Sequence, residues 1–126
     1  FSTEEEKKRM RVDELSFDFA KRIVFLRKYL TTSVDNKEFV MSKQVLRSGT
    51  SIGANVREAI RAQSKPDFFT KLYISLKEAE ETLYWLELLS ETDYIEKSHF
   101  DSISADCREI IKILVAITKN QGKTIS

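Results

Sequence analysis

The sequence predicts an all-α protein, an up-down-up-down antiparallel four-helix bundle. Three observations predict it. The 126 residues hold only three glycines and one proline, far short of what the tight turns of an all-β fold need. Apolar residues recur in four separate stripes at spacings of three and four, the period of a helix with one buried face. The stretches between the stripes are short, and short links between long helices favour antiparallel neighbours. The length fits one domain. Apolar residues at 41% and charged residues at 33% supply a core and four solvated outer faces.

Residues 1–12 are mostly charged and are expected to be a flexible or helix-extending N-terminus. The bundle domain is expected over 13–121, with a C-terminal tail over 122–126. The first helix is predicted from about Asp13 to Thr32, with Leu15, Phe19, Ile23, Leu26 and Leu30 as its stripe. Ser33 to Lys37 carries Asp-Asn turn chemistry. The second helix is predicted from about Glu38 to Gln63, with Val45, Gly49, Ile52, Val56, Ala59 and Ile60 on one face. Ser64 then reads as an N-cap, with Pro66 in the first turn and Asp67 facing the positive helix end. The third helix is predicted to end near Ser90. Its stripe of Phe69, Leu72, Leu76, Ala79, Leu83 and Leu86 alternates spacings of three and four, a heptad seam for shallow packing angles. The fourth is predicted from about His99 to Asn120, with Ser98 as N-cap and Asp101 completing a capping-box-like pattern. Ile103, Cys107, Ile110, Leu114 and Ile117 form its stripe, and Gly122 is the predicted stop.

Composition excludes several activities. A single cysteine forms no internal disulfide, so a reducing, cytoplasmic setting is expected. One histidine and one cysteine do not make a zinc site of the usual ligand types, nor most Ser-His or Cys-His catalytic arrangements. Glu96-Lys97-Ser98-His99 has the Glu-x-x-His spacing of di-iron bundles, but such a site needs that motif twice with two further glutamates. Cys107 sits in the core stripe and reads as a packing thiol. No apolar run approaches the roughly 20 residues of a membrane span. We therefore expect no enzyme, no metal, no cofactor and no membrane partner.

Charge is distributed unevenly although the net value is only +1. From Asp67 to Glu96, eight acidic residues face two lysines, which reads as a solvated or ion-paired face. From Lys43 to Lys65 the balance reverses. Lys43, Arg47, Arg57, Arg61 and Lys65 fall within about 80° on a helical wheel, opposite the Val45-Ile52-Val56 face. Only the small residues Thr50 and Ala54 lie between them. Such a ridge suits a phosphate backbone; the other reading is a solubilising face paired with the acidic third helix. Gly49-Thr50-Ser51-Ile52-Gly53 places two glycines inside a helix. Each costs about 1 kcal/mol relative to alanine, so close approach of another helix is expected there. Ser51 and Asn55 are expected to hydrogen-bond between helices. A surplus of apolar surface completes the pattern. Ile74, Trp85, Leu88 and Leu89 lie off the seam of the third helix, and Phe17, Ala20 and Val24 lie off the stripe of the first. A second apolar stripe predicts self-association, with Phe17, Val24, Ile74, Trp85 and Leu88 as contacts.

Two stretches carry a resemblance. Arg47-Ser48-Gly49-Thr50-Ser51-Ile52-Gly53-Ala54-Asn55-Val56-Arg57-Glu58-Ala59 resembles the central motif of a bacterial four-helix bundle family. That family is named after proteins encoded within intervening sequences of 23S ribosomal RNA genes. Ser64-Lys65-Pro66-Asp67-Phe68-Phe69, through Ile74-Ser75-Leu76-Lys77-Glu78-Ala79 to Tyr84-Trp85-Leu86, is similar to its second motif. The resemblance implies a four-helix bundle assembled into a homo-oligomeric ring of five subunits. A more distant similarity is to the accessory proteins of diversity-generating retroelements, basic pentameric bundles that bind nucleic acid. The expectation is a non-enzymatic homo-oligomeric bundle associating with RNA or a nucleoprotein through the basic ridge. The alternative is a protein-interaction scaffold.

Overall fold

The computed structural model describes residues 3–120. They form α1 (Glu4–Thr32), α2 (Val40–Ile60), α3 (Lys65–Glu91) and α4 (Lys97–Thr118), and no described residue lies in a strand. Gly122 and the predicted tail 122–126 fall outside the described residues.

Helix α1 begins nine residues before the predicted start. The Thr3 hydroxyl accepts the Glu6 N–H at 3.1 Å, and Glu4, Glu5 and Glu6 occupy the first turn, where carboxylates suit the positive helix end. The charged N-terminal stretch is thus helix-extending from Glu4 onward. Val12 and Ser16 join Phe19, Ile23, Leu26 and Leu30 in the core, while Leu15 packs at its edge. Helix α2 starts at Val40 because Glu38 stays outside it as an anchor. The Glu38 N–H donates to the Leu30 carbonyl at 2.8 Å, and its carboxylate accepts the Ser42 N–H at 2.8 Å. Ile60, predicted as core, is exposed. It lies in the last turn, where the chain leaves for α3 and opens a groove lined by Arg9, Ile60 and Phe68.

Ser64 caps α3 as predicted, accepting the Asp67 N–H at 3.2 Å. Phe69, Leu72, Ala79 and Leu86 are buried, with Leu76 and Leu83 at the edge. Leu89, expected off the seam, is 0% exposed; it continues the buried row Ser75-Thr82-Leu89 at a spacing of seven. Helix α4 is not capped by Ser98. Glu96 holds the N-cap position without a side-chain bond, and Asp101 instead accepts from Lys97 at 3.2 Å. The turn before it explains the shift. Asp93 adopts φ 67°, and the Tyr94 N–H reaches back to the Leu89 carbonyl at 2.9 Å, so the chain re-enters a helix two residues earlier than expected. Glu96 therefore precedes the helix and does not share a helical face with His99. Burial, reinforced by Arg22, lowers the His99 pKa.

Each helix packs on two neighbours: α1 on α2 and α4, and α3 on α2 and α4. Helices α1 and α3 thus lie diagonally across the bundle. Gly49 faces Ile23 and Gly53 faces Ser16, so α2 runs antiparallel to α1. Ion pairs tie the outer seams. Arg11 meets Glu109 at 3.3 Å and Arg22 meets Asp106 at 2.7 Å between α1 and α4. Lys71 approaches Glu58 at 3.9 Å between α3 and α2. Cys107 is buried and its thiol donates to the Ala79 carbonyl at 3.3 Å, joining α4 to α3.

Candidate nucleic-acid interface

The basic ridge follows from the amphipathic cut of α2. Val45, Ile52, Val56 and Ala59 turn inward, which leaves Lys43, Arg47 and Arg57 on the outer face with Thr50 and Ala54 between them. Arg61 follows directly after the helix, and all four basic residues are exposed. Lys65 is not on this helix: it is the first residue of α3, so the turn at 61–64 interrupts the predicted continuation.

The two central arginines are engaged by neighbouring helices. Arg47 donates to Glu78 at 3.0 Å and to Glu81. Arg57 donates to Asp13 at 3.0 Å and covers the Phe17 ring at 4.7 Å. The two lean opposite ways, Arg47 toward α3 and Arg57 toward α1. Lys43 and Arg61 form no ion pair among the described residues, but about 27 Å of helical rise separates them. A phosphate backbone tracking the ridge must therefore take Arg47 and Arg57 from their carboxylates. Each of those carboxylates is partly exposed, and such pairs are individually weak.

Glu81 is the hinge of the α3 side. It accepts from the Trp85 indole N–H at 3.0 Å as well as from Arg47. The indole, reinforced by Arg47, holds the Glu81 carboxyl below its ordinary range, and Glu81 in turn raises the Arg47 pKa. Trp85 is thus not the bare outward apolar contact that the wheel suggests. Its ring packs against the core edge and meets Tyr84 edge-on at 5.1 Å. Leu88 is likewise half-buried. Phe17, Val24 and Ile74 are 47%, 37% and 38% exposed and do form outward apolar surface. Phe25, Tyr73 and Tyr84 are exposed beside them; the apolar stripes do not single these out, although Phe25 lies eight residues from Phe17 on the same side of α1.

The glycine motif is used as predicted, but its polar members are not. Ser51 donates to the Arg47 carbonyl at 2.6 Å and Asn55 to the Ser51 carbonyl at 2.8 Å. Both bonds stay within α2, because a neighbouring carbonyl four residues back is always in reach of a short side chain. The interhelical bonds come instead from residues not singled out. Thr82 donates to the Ser48 hydroxyl at 2.8 Å and Ser75 to the Ile52 carbonyl at 2.8 Å. Their signal was a small polar residue inside an apolar stripe.

Among the described residues no three His, Cys, Asp or Glu side chains converge to hold a metal ion, and no helix is long and apolar enough to cross a membrane.

The arrangement defines a class: antiparallel bundles with a glycine-bearing second helix and a charged outer ridge. The family model for the 23S rRNA-intervening sequence protein matches residues 8–116. The chain belongs to that family. A crystal structure from Bacteroides thetaiotaomicron, of a protein with unknown function from the S23 ribosomal protein family, is 55% identical. The match covers 89% of this chain and 98% of that one, with a TM-score of 0.85. No curated protein matches the chain.

Proposed function

We propose that the protein is a non-enzymatic, cytoplasmic homo-oligomer that associates with RNA through the α2 ridge. The observation that carries the assembly is the pair of outward apolar faces on diagonally opposite helices. Phe17, Val24 and Phe25 lie on α1, and Tyr73, Ile74 and Tyr84 on α3. Lys28 and Lys21, the latter paired with Asp18 at 3.0 Å, flank the first face, while Lys77, Glu80 and Glu87 accompany the second. Unlike faces on opposite sides favour head-to-tail contact, which closes into a ring where the rotation between copies returns to the first; the family resemblance suggests five subunits.

One chain offers few phosphate contacts, and two of its arginines already have partners. Binding by a single subunit is therefore weak. A ring repeats the ridge, and avidity raises affinity by roughly 10²–10⁴ where one RNA spans several copies. Phosphate contacts position without specifying, so binding is indifferent to sequence and steeply salt-dependent. Fluorescence anisotropy with a structured RNA at low and physiological salt tests this. Arg57→Glu with Arg61→Glu abolishes binding and leaves helicity intact. No binding at low salt, or equal binding by the double variant, removes the RNA reading. The second reading, a protein-interaction scaffold, is favoured by the engagement of Arg47 and Arg57 with carboxylates of the chain itself.

A further inference from the structure

The groove at the α2–α3 turn belongs to neither the ridge nor the outward apolar faces. Its volume is about 280 Å³. Ala59, Phe68 and Phe69 give it a buried apolar floor, and Ile60 gives it an exposed apolar edge. Arg9 of α1 and Lys65 of α3 line it, and no carboxylate does.

Arg9 carries the argument. Its guanidinium lies over the Phe68 ring, 4.2 Å from the centroid, which shields one face from water and limits its motion. Its Nε is buried and meets no acceptor. A buried donor left without an acceptor costs free energy, and more so in a charged group. The carboxylates one turn away on α1 do not relieve it. Glu5 is held by Lys8 at 3.6 Å and by Asn120 at 3.0 Å. Glu6 accepts from the Thr3 hydroxyl at 3.3 Å, and Asp13 is held by Arg57 at 3.0 Å. Arg9 therefore forms no ion pair among the described residues. It is a cation positioned and partly dehydrated in advance, next to apolar surface, so part of the ordering and desolvation cost of binding an anion is already met. A carboxylate fits it, because a guanidinium meets a carboxylate with two parallel hydrogen bonds. The apolar floor selects a hydrocarbon body on that carboxylate. The volume lies at the small end of ligand sites, so the body has only a few carbons.

We propose that this groove binds a small monocarboxylate with an apolar body. Arg9 takes the carboxylate, and the edge at Ile60 takes the hydrocarbon. Amide shifts of the ¹⁵N-labelled full chain at constant ionic strength test it. Isocaproate is the probe, isocaproamide its uncharged counterpart and inorganic phosphate the bare anion. The expected result is saturable shifts on isocaproate, confined to residues 59–65, Phe68, Phe69 and the turn of α1 around Arg9. The amide and phosphate bind about tenfold more weakly, and Arg9→Gln weakens isocaproate by about the same factor. Ile60→Ser, at an exposed position, weakens it several-fold and leaves the circular dichroism of the parent. Equal binding of the amide overturns the role of the charge, and equal binding of phosphate overturns that of the hydrocarbon. Either result sinks the proposal, as do shifts that do not saturate or that Arg9→Gln and Ile60→Ser leave unchanged.

Discussion

Gly49 and Gly53 set the distance between α1 and α2. A Cβ at Gly49 would stand 2.8 Å from Ile23 Cγ1, and one at Gly53 would stand 3.3 Å from the Ser16 carbonyl carbon and oxygen. Ile23 is buried and β-branched, so it has little rotameric room to yield, and the Ser16 backbone has none. Gly49→Leu and Gly53→Leu should each destabilise by roughly 1–3 kcal/mol through overpacking, and urea denaturation would show it; variants that unfold with the parent would contradict the close approach. Cys107 offers a second residue-scale expectation. Burial pushes its thiol up to about 12 from an ordinary 9.0. Ellman's reagent at pH 8 should therefore react slowly with the folded protein and at once in denaturant. The folded pKa is the raised one, so this group's contribution to stability is complete below about pH 9 and is lost as pH climbs toward 12.

At the scale of the helix, α2 and α3 are joined by a buried polar rung inside an apolar seam. Thr82→Val keeps the shape but leaves the Ser48 hydroxyl without its donor, at a cost of about 1–3 kcal/mol. Removing both groups with Ser48→Ala and Thr82→Val should cost less than the sum of the two single changes, and a double-mutant cycle in urea would measure that coupling. The same pair shows what the sequence made legible. Helical period exposed all four helices and most of their buried rows, because burial of a stripe leaves a periodic trace. It did not expose Ser48, Ser75 or Thr82, whose burial depends on a partner hydroxyl or carbonyl across the seam. It left the first turns of α1 open between a flexible and a helix-extending stretch, because a threonine cap and three glutamates hold them and leave no apolar stripe. The ridge was half legible. A wheel tells which residues of one helix share a face, so Lys43, Arg47 and Arg57 were grouped correctly. It does not tell where the helix stops, which moved Lys65 to α3, or which carboxylates stand opposite, which tied up Arg47 and Arg57.

For the molecule as a whole, the diagonal placement of the apolar faces separates two kinds of assembly. A two-fold dimer would match a face with itself; a head-to-tail ring matches α1 of one copy to α3 of the next. Phe17→Glu spoils one face and Ile74→Glu the other, and each variant alone should lose the ring in light scattering. Mixed, the two retain one sound pair of faces between them, so a mass of two chains and no larger species is expected. Recovery of the full assembly on mixing, or a single-chain mass for the unaltered protein at micromolar concentration, would contradict head-to-tail contact.

Trp85 is the only tryptophan of the chain, and its indole N–H shares Glu81 with Arg47. The ridge therefore carries its own optical probe. A polyanion that draws Arg47 outward leaves Glu81 to the indole alone, and the intrinsic emission of Trp85 should change in step with loading, with no dye attached. Arg47→Gln should show the altered emission before any ligand is added and respond no further. If emission of the parent stays constant while anisotropy reports bound RNA, Arg47 keeps its hold on α3, and the contact runs through the two ends of α2 instead.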